Sequence, residues 1–260
     1  MRSGNGREHR AAGRAEAMIR RRVAAAVVGI AALLGGCGML PTPPGPVPSR
    51  LEPSIGPVPA PTSSGNLSPD GFDTAQRIAV RIRNIGCGAL STGSGFAIDD
   101  HTVITNKHVV ADTSTLEVST YDGRDLTATE ADTAGLADLA IVRTRDTLPT
   151  APQLADADAQ LGDAVTVVGY PLGRTLTVTP GHVVARQTDP LNATLGEVLM
   201  TDAPVEPGSS GSAVLDSDGR VVGVVYAKDQ NGHSFVVPVS TLRAMLDDDT
   251  AFAPLTPCTS

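Results

Sequence analysis

The sequence predicts an all-β domain carried behind a leader and a tether, and three observations carry that reading. The 260-residue chain is 41% apolar and only 18% charged, with 27 Gly, 20 Pro and no Trp, a composition that favours short strands and many turns over a helical bundle or a disordered chain. From residue 71 onward, short runs of Val, Ile, Ala and Thr recur between Gly, Asp and Pro. Only 240–246 shows helical periodicity over any length, with Leu242, Met245 and Leu246 on one face and Ser240 as candidate N-cap.

Residues 1–36 read as a signal peptide. Arg20-Arg21-Arg22 precede an apolar run at 23–34, then Gly35-Gly36-Cys37, which is the order basic, apolar, small. The run is too short to span a bilayer comfortably. Met18 stands just before the basic residues and is an alternative start. Leu34-Gly35-Gly36-Cys37 resembles the bacterial lipobox, which implies lipidation of Cys37, cleavage before it, and an anchor at the extracytoplasmic face of the cell envelope. An ordinary secretory signal with an incidental cysteine is the other reading. Seven of the 20 Lys and Arg but only two of the 28 acids precede Cys37, leaving 13 cations against 26 anions after it. Nucleic acid is excluded as a partner by that charge.

Residues 37–70 form the expected tether. The stretch 38–70 holds ten of the 20 prolines among Gly, Ser and small residues, without helical or strand period. Extended at about 3.1 Å per residue, it reaches roughly 100 Å. The domain is expected over 71–260. Its strands are expected at 78–82, 95–98, 102–105, 116–119, 139–142, 164–169, 213–215, 221–226 and 234–237, spaced as in an antiparallel barrel or sandwich. With Cys37 assigned to lipid, Cys87 and Cys258 remain, either as a disulfide in an oxidising compartment or as two free thiols.

Three stretches carry chemistry. Val103-Ile104-Thr105-Asn106-Lys107-His108 runs a strand into a turn ending on a histidine that can serve as general base. Ala137-Asp138-Leu139-Ala140 places a carboxylate at the mouth of an apolar strand, where it can orient an imidazole. Pro207-Gly208-Ser209-Ser210-Gly211-Ser212 is a tight turn able to aim N–H groups and a hydroxyl at one point. A serine hydroxyl needs a base, the base needs the right tautomer, and the oxyanion needs fixed donors.

The order His108, Asp138, Ser210 resembles the chymotrypsin-like serine peptidases, and more closely their bacterial HtrA (DegP) branch. Gly93-Ser94-Gly95-Phe96, Thr105 to Val110, Gly169-Tyr170-Pro171-Leu172-Gly173, Thr177 to Gly181, Thr201-Asp202-Ala203, and Phe235 to Pro238 also resemble motifs of that branch, in its order. The resemblance implies two antiparallel six-stranded β-barrels with a short C-terminal helix and the site in the cleft between them. It implies that Ser210 attacks the scissile carbonyl, that His108 relays the proton, and that Asp138 orients His108. The N–H groups of Gly208 and Ser210 would form the oxyanion hole. The Gly-x-Ser-Gly pattern selects Ser210 over Ser209 and Ser212, and Asp-Leu-Ala selects Asp138 over Asp132.

The implied function is an exported, lipid-anchored serine endopeptidase acting on polypeptides through an acyl-enzyme, with no cofactor and no metal. A catalytically silent domain that binds peptides or unfolded proteins is the alternative, and an esterase acting on a cell-wall ester is a third reading. Ser209 and Ser212 stand where most of the family has Asn and Gly, and neither change removes a catalytic group. Ser209 cannot pair with a freshly cut N-terminus as the Asp of digestive trypsins does. No PDZ domain is expected after the helix, in contrast to typical members of the HtrA branch. Pro204, where trypsin carries its specificity acid, suggests a small or aliphatic residue before the cut bond. His101, His182 and His233 lack metal-ligand spacing.

Overall fold

The computed structural model describes residues 72–258; the leader 1–36, Cys37 and the tether 38–70 lie outside the described residues. Among the described residues, no helix is long and apolar enough to cross a membrane. The chain builds two closed antiparallel barrels of six strands each. The first contains β1 (Ala79–Gly86), β2 (Leu90–Ala97), β3 (Thr102–Thr105), β4 (Thr113–Thr120), β5 (Asp125–Ala134) and β6 (Ala140–Thr144). The second contains β7 (Ala164–Gly169), β8 (Thr177–Thr188), β9 (Glu197–Thr201), β10 (Ala213–Leu215), β11 (Val221–Lys228) and β12 (Ser234–Pro238). Three short helices complete it: α1 (Thr74–Arg77), α2 (Lys107–Val110) and α3 (Val239–Leu246). The fold class expected from the resemblance is the one observed.

The strands nearest the middle of the molecule read as continuous apolar runs because both of their faces are buried. Successive side chains in a strand point to opposite faces. In β11, Val222 and Val225 enter the second barrel's interior while Val221, Val224 and Tyr226 enter a third cluster shared by both barrels. In β6, Ala140 and Val142 face the first interior, while Ile141 and, just before the strand, Leu139 face the shared seam. Phe96, Ile104 and Leu139 from one barrel and Leu215, Val237 and Leu242 from the other are at most 2% exposed. At about 1.5–3 kcal/mol for each such side chain, this seam is a main source of stability and fixes the cleft above it.

Strands expected from apolar runs are present, and β5, β8, β9 and β13 (Phe252–Pro254) were not among them. β5 reads DLTATEADTA and buries only Leu126 and Ala134 fully, while β8 carries Pro180 and Gly181 at its centre. Register supplies what composition does not. β5 pairs with β4 through Leu126 and Thr127, then with β13 through residues 132–134. The C-terminal segment thus returns to the first barrel, Leu255 N–H donating to Ala131 C=O (2.8 Å) and Cys258 N–H to Thr113 C=O (2.8 Å). Cys258 is joined to Cys87 by a disulfide, with Cα atoms 6.1 Å apart.

The helix expected at 240–246 begins one residue earlier, and Ser240 is not its N-cap. Pro238 holds that position without a side-chain bond. Asp158, from the connection between barrels, does the capping instead, accepting from Ser240 N–H (2.9 Å) and Ser240 Oγ (2.8 Å). A carboxylate at a helix start meets unpaired N–H groups and the positive end of the helix dipole.

Candidate active site

His108 lies in the single turn of α2 directly after β3, and its position is set by the loop that enters β6. Asn106 Nδ2 donates to Asp138 C=O (2.7 Å) and Lys107 Nζ to Ala134 C=O (3.3 Å), fastening the two segments. The Asp138 carboxylate then binds His108 twice, Oδ1 accepting the backbone N–H (3.0 Å) and Oδ2 lying 2.5 Å from Nδ1. A proton on Nδ1 satisfies that contact and leaves the lone pair on Nε2. The His108 side chain is 49% exposed and Asp138 30%, so the pair opens to the cleft. Asp132, the other acid, sits in β5 opposite Ile141 and Pro254 and does not touch His108.

Ser210 stands on two consecutive turns between β9 and β10. The first closes with Ser209 N–H to Glu206 C=O (2.9 Å), with Pro207 second and Gly208 third at φ +95°, the sequence and dihedral of a type II turn. The second closes with Ser212 N–H to Ser209 C=O (3.0 Å), with Gly211 at φ +87°. A Cβ on Gly211 would lie 2.0 Å from Ser94 C=O, so glycine is required there on both counts.

The orientation of the Pro207–Gly208 peptide decides what this turn can do. Its carbonyl accepts from Leu172 N–H (2.6 Å) in the 3-10 turn Pro171–Gly173. In a planar trans peptide the N–H points opposite to the C=O, so Gly208 N–H faces away from that loop. Leu172 adopts φ +56°, a conformation uncommon for a non-glycine residue, to make the contact. Ser94 fixes the rest: its N–H donates to Ser210 C=O (2.8 Å), its Oγ to Gly208 C=O (2.8 Å), and it accepts from Tyr170 N–H (2.8 Å). With the carbonyls of Pro207, Gly208 and Ser210 taken, the N–H groups of Gly208 and Ser210 have no acceptor among the described residues. Two adjacent free donors beside a hydroxyl form a site for a developing oxyanion.

The three serines of the turn have different surroundings. Ser209 is 5% exposed and its Oγ accepts from Glu206 N–H (3.3 Å), closing the turn. Ser212 is fully buried, its Oγ against Gly169 and without a partner among the described residues. Ser210 alone is half-buried, and neither its Oγ nor His108 Nε2 bonds another group among the described residues. Beside Ser210 opens a cavity of about 80 Å³ walled by Val205, Pro207, Val225 and Ala227, with Lys228 on its rim. Lys228 Nζ donates to Val205 C=O (3.1 Å) and Glu206 Oε2 (2.8 Å). At roughly 30 Å³ per water the space suits a side chain of a few heavy atoms.

The motifs Gly93-Ser94-Gly95-Phe96 and Gly169 to Gly173 give no sign in sequence of the roles that Ser94 and Leu172 play here. Buried Asp189 was also missed; it accepts from Tyr226 OH (2.7 Å) and Leu191 N–H (2.8 Å), pinning the far face of β11. Burial pushes the Tyr170 phenol up to about 12, while the nearby Arg81 charge pulls the other way. The other histidines among the described residues are occupied, His101 with Thr144 C=O, His182 with Asp202 and His233 with Asp229. No cluster of metal-ligating side chains occurs among the described residues.

The profile of the trypsin-like peptidase domain matches residues 93–224, which contain His108, Asp138 and Ser210. The serine protease Do-like HtrA of Bacillus subtilis is 35% identical over 159 residues, covering 56% of this chain and 35% of its own. The serine endoprotease DegS of Escherichia coli K12 is 30% identical over 193 residues, 70% of this chain and 53% of its own. This chain therefore spans between about a third and about half the length of these curated relatives. The crystal structure of the active form of the Rv3671c protease from M. tuberculosis superposes with a TM-score of 0.63 at 29% identity, covering 72% of this chain and 87% of that one. The two barrels, the matched profile and these relatives agree that the chain belongs to the trypsin-like peptidase family.

Proposed function

We propose that the protein is a serine endopeptidase that cleaves polypeptides outside the cytoplasm, held at the membrane by lipid on Cys37 and a tether over 38–70. Ser210 Oγ attacks the scissile carbonyl as His108 Nε2 takes its proton. Asp138 keeps Nδ1 protonated and stabilises the imidazolium. The oxyanion rests on Gly208 and Ser210 N–H, and His108 returns the proton to the leaving amine. Water then repeats the sequence on the acyl-enzyme. The observation that carries this reading is the pair of unpaired N–H groups on the turn of a half-buried serine, with a carboxylate-oriented histidine in the facing barrel. The small, apolar cavity favours a short aliphatic side chain before the cut bond.

A fluorophosphonate probe tests the chemistry. Labelling of the full chain that is lost in Ser210→Ala and His108→Ala but kept in Ser209→Ala supports it; absence of labelling in the folded wild type sinks it and favours a peptide-binding domain. The anchor is tested separately, by incorporation of labelled fatty acid that disappears in Cys37→Ala.

A further inference from the structure

The outward face of β1 carries a charge without a counter-ion among the described residues. Ala79 joins the seam, and Arg83 pairs with Glu117 (3.0 Å). Arg81, between them, is half-buried and makes no hydrogen bond or ion pair with any described residue. It lines a groove of about 400 Å³ together with Leu90, Thr92, Ser119, Leu172 and Gly173. The acids nearby do not answer it. Glu117 is taken by Arg83, and Asp122 by Arg124 (3.1 Å) and Thr120. Asp125, at the groove's far wall, stands two strands from Arg81, across Ser119, and forms no ion pair with it.

A second donor nearby is in the same condition. Tyr170 is 5% exposed, its OH has no partner among the described residues, and it lies close enough to Arg81 to feel that charge. A guanidinium drawn partly out of water is costly without an anion, and a buried hydroxyl is costly without an acceptor. Leu90 and Leu172, 58% and 51% exposed, offer aliphatic contact on the same walls. An anionic group on an extended chain, laid along this groove, meets the needs of Arg81 and of these two leucines.

The groove also adjoins the chemistry. Leu172 N–H holds the Pro207 carbonyl, and a Cβ on Gly173 would lie 2.4 Å from Thr92 Oγ1, so the groove starts behind the turn that carries Ser210. The 80 Å³ cavity is walled instead by β11. A polypeptide with one side chain in that cavity and its carbonyl on Gly208 N–H continues past Ser210 towards the first barrel.

We infer that this groove binds the segment C-terminal to the scissile bond, and that Arg81 selects an acidic side chain, Asp or Glu, within a few residues of that bond. The inference rests on the endopeptidase reading of Ser210 and adds a substrate class to it. Arg81 is here a specificity-determining residue, with no part in the bond chemistry.

The test uses the full chain and peptides identical up to the cut bond, with Glu, Ala or Lys at each position just beyond it. The expected result is cleavage of Glu over Lys peptides by about threefold to tenfold in kcat/KM, shrinking as salt rises. That ratio falls to near unity in Arg81→Gln, which retains most of the side chain's stem, and reverses in Arg81→Glu. Equal cleavage of Glu and Lys peptides by the wild type, or a preference that survives Arg81→Glu, overturns the inference. A short activated ester with no residues beyond the bond reports Ser210 alone, so its turnover judges the endopeptidase reading separately. Should the ester not turn over, anisotropy of the same peptides on the Ser210→Ala chain decides: a Glu preference reversed by Arg81→Glu supports the subsite, and equal binding overturns it.

Discussion

The two barrels contribute different kinds of group to one cleft. The first supplies side chains, His108 and Asp138, on a one-turn helix and a loop that hold each other through Asn106 and Lys107. The second supplies the Ser210 hydroxyl on paired turns and, beside it, two backbone donors, the N–H groups of Gly208 and Ser210, left without acceptors among the described residues. Side chains exposed by 49% and 30% can be exchanged at little structural cost, whereas a turn dihedral cannot be altered without moving its neighbours. Chemistry and stability are therefore separable in the first barrel and joined in the second.

His108→Ala is expected to lower kcat/KM on peptide substrates by about ten-thousandfold while leaving the melting temperature within a few degrees of wild type. A large thermal loss in this variant would break the contrast between the barrels. Gly211→Ala should cost both properties at once, because its Cβ meets Ser94 C=O at 2.0 Å and its φ is +87°. We expect a loss of about 2–4 kcal/mol, roughly 5–15 °C in melting temperature, with activity reduced at least a hundredfold. Calorimetry beside a peptide assay measures both, and a stable, active Gly211→Ala would show that the turn is softer than its contacts imply.

Ser94 sharpens the comparison, since it belongs to the first barrel and acts on the second. Ser94→Ala removes the donor to Gly208 C=O and the acceptor for Tyr170 N–H, and should cost about 1–3 kcal/mol with a tenfold to hundredfold fall in kcat. Unchanged kcat would mean that Leu172 alone sets the Pro207–Gly208 peptide.

How much of this was legible in the sequence follows the same division. His108, Asp138 and Ser210 stood out because each is a side chain of reactive type in a short motif, and the seam strands because both faces are apolar. Ser94 did not, since nothing in a Gly-Ser-Gly stretch says that its hydroxyl spans two barrels between Gly208 and Tyr170. β5 did not, being polar and held by register. The cap on α3 was misassigned to Ser240 because Asp158, which provides it, lies 82 residues away in sequence. Local pattern reports burial and turn chemistry, and it carries no signal for bonds made across long separations.

Smaller effects concern stability alone. Cys258→Ser opens a link between residues 171 apart and should lower stability by up to about 5 kcal/mol under non-reducing conditions, with turnover retained below the melting transition. Chemical denaturation read with and without reductant checks this; a wild type insensitive to reductant would contradict it. The smallest shift concerns Asp229, whose carboxyl is held at about 2 first by its hydrogen bond to His233. A depressed acid stabilises the fold above its unfolded value near 4 and loses that contribution as pH falls towards 2. Asp229→Asn should therefore melt slightly below wild type at pH 7 and converge with it near pH 2; a gap independent of pH would assign the effect to something other than this charge.

The return of the C-terminal segment to the first barrel bears on what a cut in this chain can accomplish. The connection between β6 and β7, residues 145–163, is the covalent passage from one barrel to the other, yet Cys87 lies before it and Cys258 after it. A nick anywhere in that passage yields two fragments that remain bonded through sulfur and laced by β13 on β5. Such a molecule would migrate as one band without reductant and as two with it, so its covalent integrity is that of a ring closed at Cys87 and Cys258.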